Sequence, residues 1–320
     1  MQRARVFALS GKKIFIAGHR GMVGSAVCRR LAREECEIIT ADRQKIDLRR
    51  QEAVEAFFEK NEIDAVVMCA AKVGGILAND TAPATFLYDN LLLQTNIIHS
   101  AHLANVERFV FLGSTCVYPK LAPQPISEDA LLSGPLEPTN QWYAIAKIAG
   151  IKMCDAYRRQ YERSYVSVMP TNLYGPNDNF DLATSHVLPA LMRKIDEAKR
   201  KGAPHVEIWG DGSPLREFMH VDDLADALTY VLQYYDEEGP INAGTGEEVS
   251  IRSLAEMISD VVGYSGAFVF DETKPNGTPR KVSDVTKLRG LGWRSSMSLS
   301  DGLRAVYKWY LENETHHDFA

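Results

Sequence analysis

An α/β protein built around a doubly wound parallel sheet is what this sequence predicts, and three observations carry the prediction. Strand-like and helix-like patterns alternate over the first 113 residues. A short apolar strand runs directly into a glycine turn that opens a helix, with Gly18, Gly21 and Gly24 spaced as GxxGxxG. Ala65–Ala71 is an unbroken apolar run, as expected of a strand covered on both faces.

Taken in order, Lys13–Ala17 reads as the first strand. Met22–Arg33 follows as a helix with Val23, Ala26, Val27 and Leu31 on one face. Glu37–Ala41 reads as the second strand and Gln51–Lys60 as a helix. After Ala65–Ala71, one long helix is expected over much of Thr81–Asn105, then a buried strand at Phe109–Gly113. Gln141–Gln160 is a helix and Val166–Pro170 a strand. Right-handed crossovers then place the C-terminal ends of the strands along one crevice.

The second half is less regular. Pro, Gly, Asn and Asp cluster in Pro170–Asp181, which reads as a loop. His186–Lys201 has helical spacing and Val206–Gly210 reads as a strand. Val221–Tyr235 is a helix that packs back on the sheet, before a short strand near Ile241–Ala243. Ser250–Glu314 mixes two helices with short extended pieces. The expected division is a Rossmann-type nucleotide domain over 11–180 and 217–249, with a smaller, discontinuous α+β domain over 181–216 and 250–315. Met1–Ser10 reads as a frayed lead-in that lacks the pattern of a signal peptide.

Hydrophobic residues make up 45% and charged residues 24%, which is ordinary for a globular chain. The net charge is −6 with no long basic run, so a nucleic-acid polyanion is an unsuitable partner. No apolar run approaches membrane-spanning length. The five cysteines, Cys28, Cys36, Cys69, Cys116 and Cys154, form no CxxC, so neither a disulfide framework nor a metal site is suggested. Reduced thiols in a cytosolic compartment are the expectation.

The glycine turn points to a dinucleotide. Glycines let the backbone approach a pyrophosphate, and the helix N-terminus offers free N–H groups and a positive dipole end. With 22 glycines in the chain, the spacing arises by chance about 0.1 times per chain, and the strand–turn–helix context lowers that further. Asp42 and Arg43 close the second strand, and Arg20 lies in the glycine turn. An acidic residue suits a free ribose 2′-hydroxyl, whereas two guanidiniums suit a 2′-phosphate. The balance favours NADP(H), with Asp42 as the counter-evidence.

Tyr143 and Lys147 form a YxxxK pair on one helix face. The lysine's charge can lower the phenol pKa so that tyrosine exchanges a proton with a carbonyl oxygen. Alone the pair says little, since chance yields about 0.6 such pairs in a chain of this composition. Its context is stronger. Ser114 stands at the end of the preceding strand, where it either satisfies a turn or hydrogen-bonds a substrate carbonyl.

The order GxxGxxG, Ser114-Thr-Cys-Val-Tyr118 and YxxxK resembles the extended short-chain dehydrogenases that act on nucleotide sugars. Longer stretches resemble the GDP-L-fucose synthases within that group: Ala17-Gly-His-Arg-Gly-Met-Val-Gly24, Ala70-Ala-Lys-Val-Gly-Gly75, Pro170-Thr-Asn-Leu-Tyr-Gly-Pro176 and Ser185-His-Val-Leu-Pro-Ala190. Trp209-Gly, Arg216-Glu-Phe-Met-His-Val-Asp-Asp223 and Gly277-Thr-Pro-Arg-Lys281 complete the set, and the resemblance spans about residues 12 to 314.

That resemblance implies two epimerisations and one reduction at a single site. The substrate is a GDP-linked 4-keto-6-deoxy sugar and the reductant NADPH. Ser114 and Tyr143 are then expected at the C4 oxygen, Lys147 beside the tyrosine and the ribose, and Cys116 and His186 as the epimerisation acid and base, in either order. The cofactor set comprises Gly18, His19, Arg20, Gly21, Met22, Val23, Gly24, Arg43, Asp47, Leu48, Leu112, Gly113, Lys147, Pro170, Asn172, Leu173 and His186. Ser114, Lys194, Trp209, Arg216 and Lys281 are expected to hold the substrate, the last four around GDP. Lys194 stands where some relatives place an arginine; it keeps the charge and loses the fork. His220 is expected to be structural, and His316 and His317 lie in a polar tail with no role. A homodimer through Gln141–Gln160 and Phe86–Ala104 is also implied.

Two other readings compete. A nucleotide-sugar 4-epimerase, 4,6-dehydratase or simple 4-reductase shares the fold and YxxxK. Dehydratases of this group commonly carry an acidic pair after the serine, where this chain has Thr115 and Cys116. A non-catalytic dinucleotide-binding regulator would lack one of Ser114, Tyr143 and Lys147, and all three are present.

Overall fold

The structure is a computed structural model that describes residues 4–274 and 276–313; His316 and His317 lie outside the described residues. Six parallel strands form the central sheet, reached through alternating helices. Strand β1 (Lys13–Ala17) leads to helix α1 (Met22–Leu31), β2 (Glu37–Thr40) to α2 (Gln51–Asn61), and β3 (Ala65–Met68) to α3 (Ile76–Thr81) and α4 (Pro83–Leu103). Strand β4 (Arg108–Leu112), helix α5 (Gln141–Tyr161) and strand β5 (Ser164–Pro170) follow. A short strand β6 (Asn172–Tyr174), helix α6 (Val187–Lys201), and strands β7 (His205–Trp209), β8 (Leu215–Arg216) and β9 (Phe218–His220) precede α7 (Val221–Tyr234) and β10 (Pro240–Ala243). Then come β11 (Val249–Ser250), α8 (Ile251–Val262), β12 (Ala267–Asp271), β13 (Arg280–Lys281), α9 (Thr286–Gly290) and α10 (Leu299–Asn313).

The sheet order is β10-β5-β4-β3-β1-β2. The chain runs outward from β1 to β2, then crosses back to β3 on the other side of β1. The crevice above β1 is therefore the topological switch point where such sheets bind ligands. The two-residue period of a strand explains the two covered faces. Ile14 and Ile16 share one core with Ala26, Val27 and Leu31 of α1 and Leu224, Leu228 and Val231 of α7. Phe15 and Ala17 share another with Phe58, Ile97, Ala101 and Ile151 from α2, α4 and α5.

A third core is built from Leu191, Met192 and Ile195 of α6, Leu254 and Ile258 of α8, Val206 and Ile208 of β7, and Leu303 and Val306 of α10. Here β7 pairs in parallel with β12, while β8 is flanked by antiparallel β11 and parallel β13. No helix among the described residues is long and apolar enough to cross a membrane.

Two sequence expectations need correction. The lead-in is not frayed over its described part: Phe7 and Leu9 are buried against the α1–α7 core, and the Val6 N–H donates to the carbonyl of Gln233 at 2.8 Å. The long helix read within Thr81–Asn105 is α4, and Pro83 opens it directly after Ala82; proline suits a first helical turn and disfavours helix before it. The loop at Pro170–Asp181 contains β6, which pairs in parallel with β9. Three residues are too few for a readable period.

Candidate active site

The turn after β1 is shaped by two tight contacts. Gly18 has φ +84° and a Cβ there would lie 2.8 Å from the backbone of Ala70. A Cβ on Gly24 would land on the carbonyl of Gly18. Gly21 differs, since its Cβ would meet only the Gly18 oxygen at 3.5 Å, an ordinary contact. The protein itself leaves that space open, in front of a helix whose first turn has no side-chain cap. An anion that accepts the first-turn N–H groups of α1 fits there. His19, Met22 and Val23 complete the turn, with the last two partly buried against the α1–α7 core.

At the end of β2, the Arg20 guanidinium donates to Asp42 Oδ2 at 2.7 Å. The carboxylate that argued against a 2′-phosphate is thus already engaged by a cation. Arg43 is exposed beside it. Asp47 is held by Arg49, which keeps its carboxyl at about 2. Leu48 packs on the α2–α4–α5 core and accepts from Asn96 through its carbonyl at 3.2 Å.

Ser114 follows β4 and caps the short turn Thr115–Val117, accepting the Cys116 N–H at 3.3 Å. That contact uses an oxygen lone pair and leaves the hydroxyl proton free to donate. Lys147 is enclosed on α5; its Nζ donates to the carbonyl of Leu112 at 2.7 Å and lies 5.8 Å from the Tyr143 ring centroid. Burial pulls the Lys147 ammonium down to about 8, against the pull of Cys116 and Cys69. Burial likewise pushes the Tyr143 phenol up, helped by Cys116. Gly113 has no room for a side chain, because Met169 fills that space.

Cys116 lies in this group. Burial raises its thiol pKa, while the Lys281 ammonium, the Ser114 hydroxyl and Lys147 act the other way. His186 caps α6 with extended backbone and makes no side-chain cap. Burial lowers the imidazole pKa and Lys281 adds to the effect. His186 is nonetheless exposed at the surface. Lys281 is itself lowered by burial, raised by Cys116 and lowered again by Arg216. Its place in the fold follows from β13 pairing with β8, which sets Lys281 opposite Arg216. The structure therefore brings Lys281 towards the thiol and imidazole as well as towards Arg216.

Gly75 explains how His186 is positioned. Its N–H donates to the carbonyl of Thr184 at 2.9 Å, and a Cβ would lie 2.7 Å from the carbonyl of Ser185. Pro170 is buried at the end of β5, and Leu173 is partly buried against the α1–α7 core. Asn172 donates to the carbonyl of Glu217 at 2.8 Å, so its amide is partly spent on the fold. Trp209, which core packing might have claimed, is 58% exposed, with Lys194 Nζ at 5.8 Å from its ring centroid. His220 behaves as expected of a structural residue: its Nδ1 accepts the Asp222 N–H and caps α7.

Sequence reasoning missed Glu217. It is fully buried, and its two carboxylate oxygens accept from the Gly246 N–H at 2.7 Å and the Ser283 N–H at 2.8 Å. Glu217 thereby ties the loop after β10 to the segment that carries Lys281. The signal was a single glutamate next to Phe218 in a short apolar strand, too brief for a pattern.

The parallel sheet, the glycine turn at its switch point and the Ser114–Tyr143–Lys147 set at the neighbouring strand end define a dinucleotide-dependent enzyme of the extended short-chain dehydrogenase type. The chain belongs to the NAD dependent epimerase/dehydratase family, whose model matches residues 14–244. It is 56% identical over 308 residues to the GDP-L-fucose synthase of Sinorhizobium fredii, covering 96% of this chain and 98% of that one. A GDP-L-fucose synthetase from Naegleria fowleri bound to NADP superposes with a TM-score of 0.88 at 30% identity, covering 98% of both chains. A GDP-6-OMe-4-keto-L-xylo-heptose reductase from Campylobacter jejuni gives 0.89 at 36% identity, over 94% of this chain and 98% of that one.

Proposed function

We propose that this chain is an NADPH-dependent epimerase-reductase that converts GDP-4-keto-6-deoxy-D-mannose to GDP-L-fucose. One observation carries the reading: Cys116 and His186 both lie within electrostatic reach of the Lys281 ammonium, and the Cys116 N–H donates to Ser114 Oγ beside Tyr143 and Lys147. A simple 4-reductase needs one proton donor. Here a thiol and an imidazole stand ready as well, which suits two epimerisations at carbons beside a ketone.

The C4 ketone makes the C3 and C5 protons acidic. Cys116 and His186 take a proton from one face and return one to the other, while Ser114 and Tyr143 donate to the oxygen that carries the enolate charge. The bound cofactor supplies hydride to C4. Tyr143 then protonates the C4 oxygen, and Lys147 steadies the phenolate that remains. The open glycine turn fits the pyrophosphate, and Arg20 and Arg43 suit a 2′-phosphate. Lys194, Trp209, Arg216 and Lys281 face the GDP moiety.

The division into a cofactor domain, 11–180 with 217–249, and a sugar-nucleotide domain, 181–216 with 250–315, belongs to this reading. So does a cytosolic homodimer: Tyr88 on α4 and Trp142 and Ile145 on α5 are exposed apolar side chains, and all five cysteines are free. A monomeric mass in solution would exclude the dimer. The enzymatic test is NADPH oxidation with GDP-4-keto-6-deoxy-D-mannose. GDP-L-fucose is the expected product; a product still of the D-manno configuration at C3 and C5 would reduce the chain to a 4-reductase.

A further inference from the structure

Trp209 has a second lysine beside it. Lys274 Nζ lies 5.7 Å from the Trp209 ring centroid, close to the 5.8 Å of Lys194 Nζ. The two lysines come from different elements, α6 and the loop after β12, so their meeting is a product of the fold. Neither is in an ion pair among the described residues, although the chain is acidic overall. Both ammonium groups lie within cation–π range of one exposed ring. An anion that reaches this ring meets two cationic side chains.

The loop that carries Lys274 is fastened rather than loose. Asp271 lies opposite Trp209 in the β12–β7 pairing, and its carbonyl accepts the Gly210 N–H at 2.9 Å and the Lys274 N–H at 3.1 Å. Asp271 Oδ1 accepts the Thr273 N–H at 3.0 Å. Asn276 Oδ1 accepts the Asp211 N–H at 2.9 Å. The backbone around Trp209 and the backbone around Lys274 are therefore one hydrogen-bonded unit. The Asp271 carboxylate lies within electrostatic reach of Lys274, and its Oδ1 accepts the Thr273 N–H and hydroxyl.

We infer that Lys274 is a further substrate-binding residue, joining Lys194 and Trp209 at the diphosphate of the nucleotide sugar. The inference rests on the nucleotide-sugar reading and extends it to a residue outside the motif-derived set. Lys194 supplies a single point charge, and a second ammonium adds donors that a diphosphate can accept from.

The test uses the NADP-loaded enzyme and the neutral variant Lys274→Gln. Binding of GDP, GMP and guanosine is measured by calorimetry, and turnover with GDP-4-keto-6-deoxy-D-mannose by NADPH oxidation. Losing a charge-assisted contact is expected to weaken GDP about tenfold or more and to raise the sugar-nucleotide KM in parallel. Guanosine affinity, kcat and the NADPH KM should change less than about twofold, and Lys274→Arg should restore GDP binding. Unchanged GDP affinity in Lys274→Gln overturns the inference, as does an equal loss for GDP and guanosine. If the wild-type protein binds no GDP at all, the nucleotide-sugar reading falls with it. GDP binding that ignores Lys274 removes only this residue's role.

Discussion

Lys147 Nζ donates to the carbonyl of Leu112 at 2.7 Å while protein encloses it on every side. Burial lowers its pKa from 10.5 to about 8. Between those values the native state binds fewer protons than the unfolded chain, so stability from this group rises with pH across that window. Below about pH 8 both states are charged and the full burial cost, about 3 kcal/mol, is present. Lys147→Met should remove that cost and leave the Leu112 carbonyl without its donor, which takes back about 1–3 kcal/mol. The expected result is a cofactor-free variant at least as stable as the wild type at pH 7, with an advantage that shrinks by pH 10. Thermal melts at both pH values check it; a variant that gains stability relative to wild type as pH rises contradicts it. Reductase activity should be lost throughout.

Cys116 and His186 should separate epimerisation from reduction. Cys116→Ser and His186→Gln each remove one proton carrier and leave Ser114, Tyr143 and Lys147 in place. Solvent-proton exchange into the sugar should fall about 100-fold or more. NADPH affinity, read by nucleotide fluorescence, should stay within about twofold of wild type for Cys116→Ser. Full exchange in both variants would remove these residues from the mechanism.

Glu217→Gln replaces one acceptor oxygen with an NH2 group that faces a backbone N–H. One of the Gly246 and Ser283 N–H groups then lacks an acceptor, at a cost of about 1–3 kcal/mol. Denaturant unfolding should show that loss. The Ser283 partner lies two residues from Lys281, so the sugar-nucleotide KM should rise while the NADPH KM does not. Equal effects on both substrates would mean a general loosening of the fold.

Cofactor choice turns on Arg43 and Arg20. Because Arg20 already engages Asp42 at 2.7 Å, Asp42→Asn should change the NADPH over NADH preference little. Arg43→Ala should lower that preference about tenfold, the value of one charge-assisted phosphate contact. Steady-state kinetics with both reductants decides between the two arginines.

The sheet was legible because its signals are local. Lys13–Ala17 occupies the strand read for it, and Gln51–Lys60 and Val221–Tyr235 lie within a residue of their helices. What escaped depends on distant partners. The β6–β9 pair joins residues more than forty positions apart through three-residue strands, and nothing in either segment announces the other. Phe7 and Leu9 looked like a tail because the α1–α7 surface they cover is built elsewhere in the chain. In the site, the glycine turn and YxxxK were readable from spacing. The meeting of Cys116, His186 and Lys281 needed β4, α6 and β13 to converge. Glu217 and Lys274 act through contacts that no periodicity encodes.

In the proposed function one site both inverts two carbons and reduces a third. Purified protein, GDP-4-keto-6-deoxy-D-mannose and NADPH would be combined in heavy water, following NADPH oxidation while mass spectrometry and NMR locate deuterium in the product. Stoichiometric oxidation with deuterium at both C3 and C5 is the expected result. Oxidation without deuterium at either carbon would contradict it and leave a 4-reductase.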